Sequence, residues 1–149
     1  MKLYKQGLSK INRKGLFAKK DIKKGTKIIN YIGKILTKKQ TDKNPKFDNG
    51  KAIYLYNLDK KYDLDGDFKY NTARLINHSC NPNCEVEGKG LKLWINSIKD
   101  IKKGEELSYD YGFSFDKYYK DFPCKCGSKN CCGYIIRQGS RWRIKKNQI

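Results

Sequence analysis

A mainly β domain with short helices is what this 149-residue chain predicts, on two observations. The apolar residues come in short bursts rich in Ile, Leu and Tyr, such as Lys27 to Thr37, Ala52 to Leu58 and Leu91 to Ile98, which suits strands more than helices. Gly, Asn and Asp punctuate the bursts, while Pro occurs only at Pro45, Pro82 and Pro123, so turns are frequent and helix is a minor component. At this length one domain with a modest core holds the whole function.

Taken in order, Met1 to Lys10 alternates Lys with single apolar residues and lacks the apolar core of a secretory signal. No run approaches membrane-spanning length. The polar stretch Lys38 to Gly50 reads as a mobile loop or a weak helix. The pentapeptide Asp-Ile-Lys-Lys-Gly occurs at Asp21 to Gly25 and again at Asp100 to Gly104, with Gly33 and Gly112 at the same offset after it. Each copy reads as a turn leading into a strand, with Gly supplying the special backbone angle, and not as a duplicated domain. From Phe122 onward there is no acidic residue, and Arg137, Arg141, Arg143, Lys145 and Lys146 crowd around Trp142. That end reads either as a phosphate clamp or as a solvated, disordered terminus.

Lys and Arg outnumber Asp and Glu by 34 to 15, a formal charge of +19. Such a balance suits an acidic partner such as nucleic acid, or serves solubility alone. With no secretory signal, the six cysteines are expected in a reducing compartment, where close spacing points to metal and not to disulfides. Cys124, Cys126 and Cys131 stand close together, one thiolate short of the four ligands of a structural zinc. Adjacent Cys132 is a poor fourth because neighbouring side chains rarely reach one ion. Cys80 or Cys84 must therefore meet the tail.

The only His, His78, sits in Asn77-His78-Ser79-Cys80. With no second His and no evident acid partner it does not suggest a hydrolytic triad, and its near adjacency to Cys80 argues against a cysteine protease. Tyr109 and Tyr111 are two apart in Glu105-Glu106-Leu107-Ser108-Tyr109-Asp110-Tyr111-Gly112, so on a strand they share a face. Either tyrosine alone would be read as core packing, since the chain has 11.

Together and in this order the motifs resemble the SET-domain lysine methyltransferases that carry a post-SET zinc segment, over about Ser9 to Ile136. Ser9 to Ala18 looks like the family's opening cofactor turn, Tyr31-Ile32-Gly33 like its Tyr-x-Gly strand and Tyr54-Leu55-Tyr56 like its lysine-channel strand. Asn77 to Cys80, Glu105 to Gly112 and the Cys-x-Cys-x4-Cys segment complete the series. Arg13 stands where the family often has Gly, and the pre-SET cysteine cluster is missing.

The resemblance implies a SET fold of several small sheets with a pseudoknot-like threading. The expected divisions are a SET domain at 1–121, a post-SET zinc segment at 122–138 and a basic tail at 139–149. It implies S-adenosylmethionine held by Lys14, Gly15, Leu16, Asn77, His78 and Tyr111, and one structural zinc held by Cys80, Cys124, Cys126 and Cys131. A lysine-bearing substrate, a histone tail by family habit, would enter a channel lined by Tyr54, Tyr109 and Tyr111. Tyr111 would orient the amine, and a Tyr at position 109 favours monomethyl-lysine. Repulsion between a +19 enzyme and a basic tail would be relieved by nucleic acid on the basic surface, as in a nucleosome, and by Asp63, Asp65, Asp67 and Asp116 beside the peptide. Chromatin or the nucleus is the expected location in a eukaryote or its host, the cytoplasm otherwise, with no membrane partner. The rivals are a catalytically silent SET-like reader and a basic zinc-containing nucleic-acid-binding protein.

Overall fold

A computed structural model of the chain describes residues 2–48 and 53–147, with backbone alone for 145–147. Its strands are β1 (Tyr4–Leu8), β2 (Lys14–Ala18), β3 (Lys27–Tyr31), β4 (Lys34–Thr37) and β5 (Leu55–Asn57), then β6 (Tyr62–Asp65), β7 (Asn77–His78), β8 (Cys84–Lys89), β9 (Lys92–Ser97) and β10 (Ser108–Tyr109). Two short helices, α1 (Lys38–Lys43) and α2 (Trp142–Asn147), complete the regular structure with a few 3₁₀ turns. The expected mainly β architecture of several small sheets is what forms.

The hairpin β1–β2 is antiparallel, β3-β9-β8 and β4-β6-β5 are three-stranded antiparallel sheets, and β7 lies parallel to β10. None of these sheets is wide enough to make its own core. Leu16, Tyr31, Leu64 and Ile95 from three sheets, with Ile76 and Leu107 from the segments just before β7 and β10, join one shared cluster, which makes the apolar burial cooperative across the chain.

The Lys38–Gly50 stretch begins as a capped helix. Thr37 Oγ1 accepts from Gln40 N at 3.2 Å while Gln40 Oε1 accepts from Thr37 N at 2.9 Å, a capping box that satisfies both otherwise orphaned donors. Asn44 and Pro45 end α1 and start a 3₁₀ turn at Pro45–Phe47. Asn49, Gly50 and Ala52 of the sequence expectations lie outside the described residues.

The two Asp-Ile-Lys-Lys-Gly copies face one another. Ile22 and Ile101 exchange both backbone bonds at 2.8 Å. Asp100 Oδ1 accepts from Lys24 N at 2.9 Å, and Asp21 Oδ1 accepts from Lys103 N at 2.8 Å. Gly25 and Gly104 take φ of 85° and 90°, a backbone region that side chains resist. The copies are therefore matched turns that clip the start of β3 to the approach to β10.

The C-terminal segment packs back on this centre. Ile136 is fully buried and Ile144 is 2% exposed. Arg137 N donates to Phe113 O at 2.9 Å. A solvated, disordered terminus does not describe 136–144. Of the tail cations expected to face phosphate, Arg141 points inward, Arg137 Nε donates to Ser140 Oγ at 2.9 Å, and Arg143 lies 5.8 Å from the Phe115 ring. The side chains of Lys145 and Lys146 lie outside the described residues.

Candidate active site

The loop between β1 and β2 is shaped by its own Ser9 and by two polar side chains from distant parts of the sequence, Asn77 and Glu106. Asn77 Nδ2 lies 3.1 Å from Ser9 Oγ, 3.2 Å from Asn12 O, 3.1 Å from Lys14 O and 2.9 Å from Glu106 Oε1. Ser9 Oγ also donates to Glu106 Oε1 at 2.6 Å. One buried amide thus fixes the turn, and its two N–H groups are shared among four acceptors. A Cβ at Gly15 would collide with Glu106 Oε1, so Gly is needed there for close approach. Arg13 takes φ of 43°, a conformation costly for a residue with a Cβ, which accounts for the Gly found there in the resembling pattern. Glu106 was not among the expected site residues. Its signal was available only as the second acid of a Glu-Glu pair.

A row of tyrosines forms the next layer. The ring centroids of Tyr31 and Tyr56 are 4.8 Å apart, those of Tyr56 and Tyr109 6.5 Å, and those of Tyr109 and Tyr111 4.9 Å. Tyr111 Oη donates to Ile76 O at 2.6 Å, and Tyr31 Oη donates to Tyr54 O at 3.1 Å. Burial pushes the phenols of Tyr31, Tyr109 and Tyr111 far above their ordinary range, so they act as neutral hydrogen-bonding groups.

Two cavities meet at this layer. One, of about 790 Å³, is lined by Asn12, Arg13, Lys14, Tyr54, Asn77 and His78 among others. The second, of about 490 Å³, is lined by Leu55, Tyr56, Asn57, Ser114, Asp116 and Tyr119 among others. Tyr111, Phe113, Phe122, Ile53 and Ile135 belong to both walls. Of the three expected channel tyrosines, only Tyr111 stands between the cavities. Tyr54 faces the larger cavity alone, and Tyr109, 4% exposed, lines neither. Tyr56 borders the smaller cavity in their place. Lys14 lines the larger cavity, whereas Gly15 and Leu16 are buried behind it.

The expected acidic environment is largely absent. Asp63 and Asp65 are buried and neutralised, by Lys38 and by Lys46 at 2.6 Å respectively. Asp67 stands 3.9 Å from Lys46. Only Asp116 lines the smaller cavity. Short strands β4 and β6 bring Lys38 and Asp63 to the same edge, a pairing that the sequence interval did not reveal.

His78 is buried beneath the larger cavity. Its Nδ1 accepts from Tyr111 N at 3.0 Å, and its Nε2 lies 3.8 Å from Cys80 Sγ. Burial pushes its pKa down to about 4, against the pull of the Asp110 carboxylate, so the imidazole is neutral and the bonding pattern puts its proton on Nε2. It is a connector, joining the Tyr111 backbone to the cysteine cluster.

The sulfurs of Cys80, Cys124, Cys126 and Cys131 lie within 4.8 Å of one another. A tetrahedral zinc with bonds of about 2.3 Å needs sulfurs about 3.8 Å apart, and Cys80 and Cys124 are separated by 3.9 Å. The donor set could hold a metal ion. Cys132 turns away to donate to Tyr134 O at 3.2 Å, and Cys84 is buried beside Ser108, so Cys80 is the cysteine that joins the late three.

A comparison with known families matches residues 13–112 to the SET domain. The chain belongs to the SET domain family. Among curated proteins it is 40% identical over 134 residues to "Histone-lysine N-methyltransferase 2B" of Homo sapiens, covering 85% of this chain and 5% of that protein. It is 41% identical over 137 residues to "Histone-lysine N-methyltransferase, H3 lysine-4 specific" of Schizosaccharomyces pombe, covering 87% and 15%. With trithorax of Drosophila melanogaster the figures are 38% over 133 residues, 85% and 4%. The SET domain thus spans only a small part of the relatives it matches. Its C-terminal cysteine cluster fits a post-SET zinc segment. Among the described residues no helix is long and apolar enough to cross a membrane.

Proposed function

We propose that this SET domain is a protein-lysine N-methyltransferase that uses S-adenosylmethionine, with a histone tail or similar basic protein as substrate. The observation that carries the reading is the pair of cavities that share Tyr111. A methyl donor on one side and an amine on the other would be aligned end to end there, and alignment of this kind contributes up to about 7 to 11 kcal/mol to a transfer.

The larger cavity suits the donor. Backbone at Asn12 to Lys14 is held by Asn77, the aromatic faces of Tyr54 and Phe113 offer packing, and Arg13, Lys14 and Arg74 can meet a carboxylate. Bound there, the cofactor supplies a methyl group made electrophilic by its sulfonium. The protein's own work is to hold the amine neutral and straight. A free lysine, with a pKa of about 10.4, is protonated; a narrow, dry passage beside a fixed cation favours its neutral form. Tyr111 orients the amine, and neutral His78 steadies the backbone from which Tyr111 projects.

Among the described residues, the smaller cavity has no Lys or Arg in its lining. That aromatic wall with Asp116 admits a basic peptide despite the overall charge of +19. The remaining basic surface suits the nucleic acid of a nucleosome-like substrate, which makes chromatin, or the nucleus, the natural setting. One zinc on Cys80, Cys124, Cys126 and Cys131 would close the post-SET segment against the cofactor side, since Cys124 also lines the larger cavity.

Incubation with labelled S-adenosylmethionine and a panel of histone peptides and nucleosomes tests the reading. Label on lysine with release of S-adenosylhomocysteine is expected; ligand binding without release would instead identify a silent reader. Metal analysis of the purified domain should give one zinc per chain, lost in Cys80→Ser and kept in Cys132→Ser. Zinc retained by Cys80→Ser would favour the zinc-containing nucleic-acid-binding alternative.

A further inference from the structure

Arg141 lies 29 residues beyond the end of the SET match at Gly112, yet its guanidinium reaches three places in the centre of the domain. Nη1 donates to Cys80 O at 2.8 Å, Nη2 pairs with Asp110 Oδ2 at 3.1 Å, and Nε donates to Ile136 O at 3.0 Å. Its side chain is 11% exposed. The carbonyl of Cys80 belongs to a residue of the cysteine cluster. Asp110 stands between Tyr109 and Tyr111, and its other oxygen, Oδ1, accepts from Gly112 N at 2.9 Å and lies 3.8 Å from His78 Nδ1.

We propose that Arg141 is a positioning residue for methyl transfer, locking the tyrosine segment and the cysteine cluster into one rigid unit from outside the matched domain. This rests on the methyltransferase reading above.

The chemistry of the fork supports it. Asp110 is also held by the backbone N–H groups of Gly112 and Gln138 at 2.9 Å each, but among the described residues only Arg141 ties it to the carbonyl of Cys80. The guanidinium neutralises the carboxylate and at the same time pulls it toward Cys80 O, which Asn130 Nδ2 also holds at 3.0 Å. Three donors in a fixed plane set three acceptors at fixed separations; a lysine has the charge but not the plane. The tail is anchored independently by Ile136 and Ile144, so the arginine is presented by a packed segment and not by a free end. The smaller cavity and the larger one share Tyr111, and a displacement of that ring by a fraction of an ångström enters the transfer geometry directly, where about 1 Å is enough for a hundredfold loss.

The test uses the full chain with Arg141→Lys, Arg141→Gln, Asp110→Asn and the double variant Arg141→Gln/Asp110→Asn. Steady-state kinetics should show kcat lowered about ten- to a hundredfold in each Arg141 variant, with KM for peptide changed less than threefold. Arg141→Lys preserves the charge and most of the packing stem, so it should melt near the parent temperature and still show the loss. The double variant should be no slower than the slower single variant, the non-additivity expected of one shared route. Release of zinc to a colorimetric chelator should be several-fold faster in Arg141→Gln, because Cys80 O loses one of its two side-chain donors.

Wild-type kcat in a folded Arg141→Lys, or additive losses in the double variant, would overturn the assignment. A parent chain that transfers no methyl group would overturn the methyltransferase reading instead, and the zinc-release comparison would still report whether Arg141 locks the cluster.

Discussion

The two cavities that meet at Tyr111 are built by different physics. The larger is framed by polar bonds that cross long sequence intervals: Asn77 to the 9–14 turn, Glu106 to Ser9, Tyr111 N to His78. Its wall carries Arg13, Lys14, Lys69, Arg74 and Lys125. The smaller is framed by aromatic edges, with Tyr56, Phe113, Tyr118, Tyr119 and Phe122, and among the described residues its lining holds one carboxylate and no cation. A polar frame gives directional, shape-fixed recognition of one compact ligand. An aromatic groove tolerates a variety of peptides and selects mainly by what it excludes.

Tyr111→Phe attacks the shared wall. Removing the hydroxyl that bonds Ile76 O should lower kcat about a hundredfold in a filter-binding methyl-transfer assay, with the cofactor still bound. A kcat within threefold of the parent would mean that the two cavities do not meet functionally at this residue. Gly15→Ala should then separate the sides: the Cβ that collides with Glu106 Oε1 forces the turn apart, at a cost of about 1 to 3 kcal/mol. Calorimetry with S-adenosylhomocysteine should show the weakened affinity while peptide KM stays put.

Smaller effects sharpen the peptide side. Tyr109 lines neither cavity, but its ring centroid lies 6.5 Å from that of Tyr56 on the groove wall. If Tyr109 governs product state through Tyr56, mass spectrometry of Tyr109→Phe should show di- and trimethyl-lysine increasing over monomethyl; an unchanged distribution would remove Tyr109 from product control. Asp116→Asn takes away the carboxylate that lines the groove among the described residues. Peptide KM should rise about two- to fivefold, since an exposed charge contributes at most about 1 kcal/mol, and the rise should vanish at high salt.

Much of the fold was legible because it depends on local patterns. Short Ile-, Leu- and Tyr-rich bursts became β3, β5 and β9, while Lys38 to Gly50, read as a mobile loop or a weak helix, begins as α1. The cysteine spacing, read with the missing fourth ligand, already required a meeting with Cys80 or Cys84. What was not legible were pairings whose partners lie far apart in the chain. Asp63 and Asp65 read as free acids until α1 and the 3₁₀ turn after it supplied Lys38 and Lys46. Arg141 read as a surface cation until the buried Ile136 and Ile144 turned it inward. Tyr54 and Tyr56 differ by two positions, and nothing in that spacing said which would face which cavity.

The sequence by itself determined the menu of parts: the β-rich character, the set of thiols, the tyrosines, and two identical turns at Asp21 and Asp100, because each follows from side-chain chemistry and short-range backbone preference. Tertiary structure alone decided that those turns would clasp through Ile22 and Ile101, that Cys80 and not Cys84 would meet the late thiols, and that Tyr111 would divide two cavities. Such choices depend on which distant segments share a core, and that is fixed only when the buried apolar surface of all the small sheets is gathered at once.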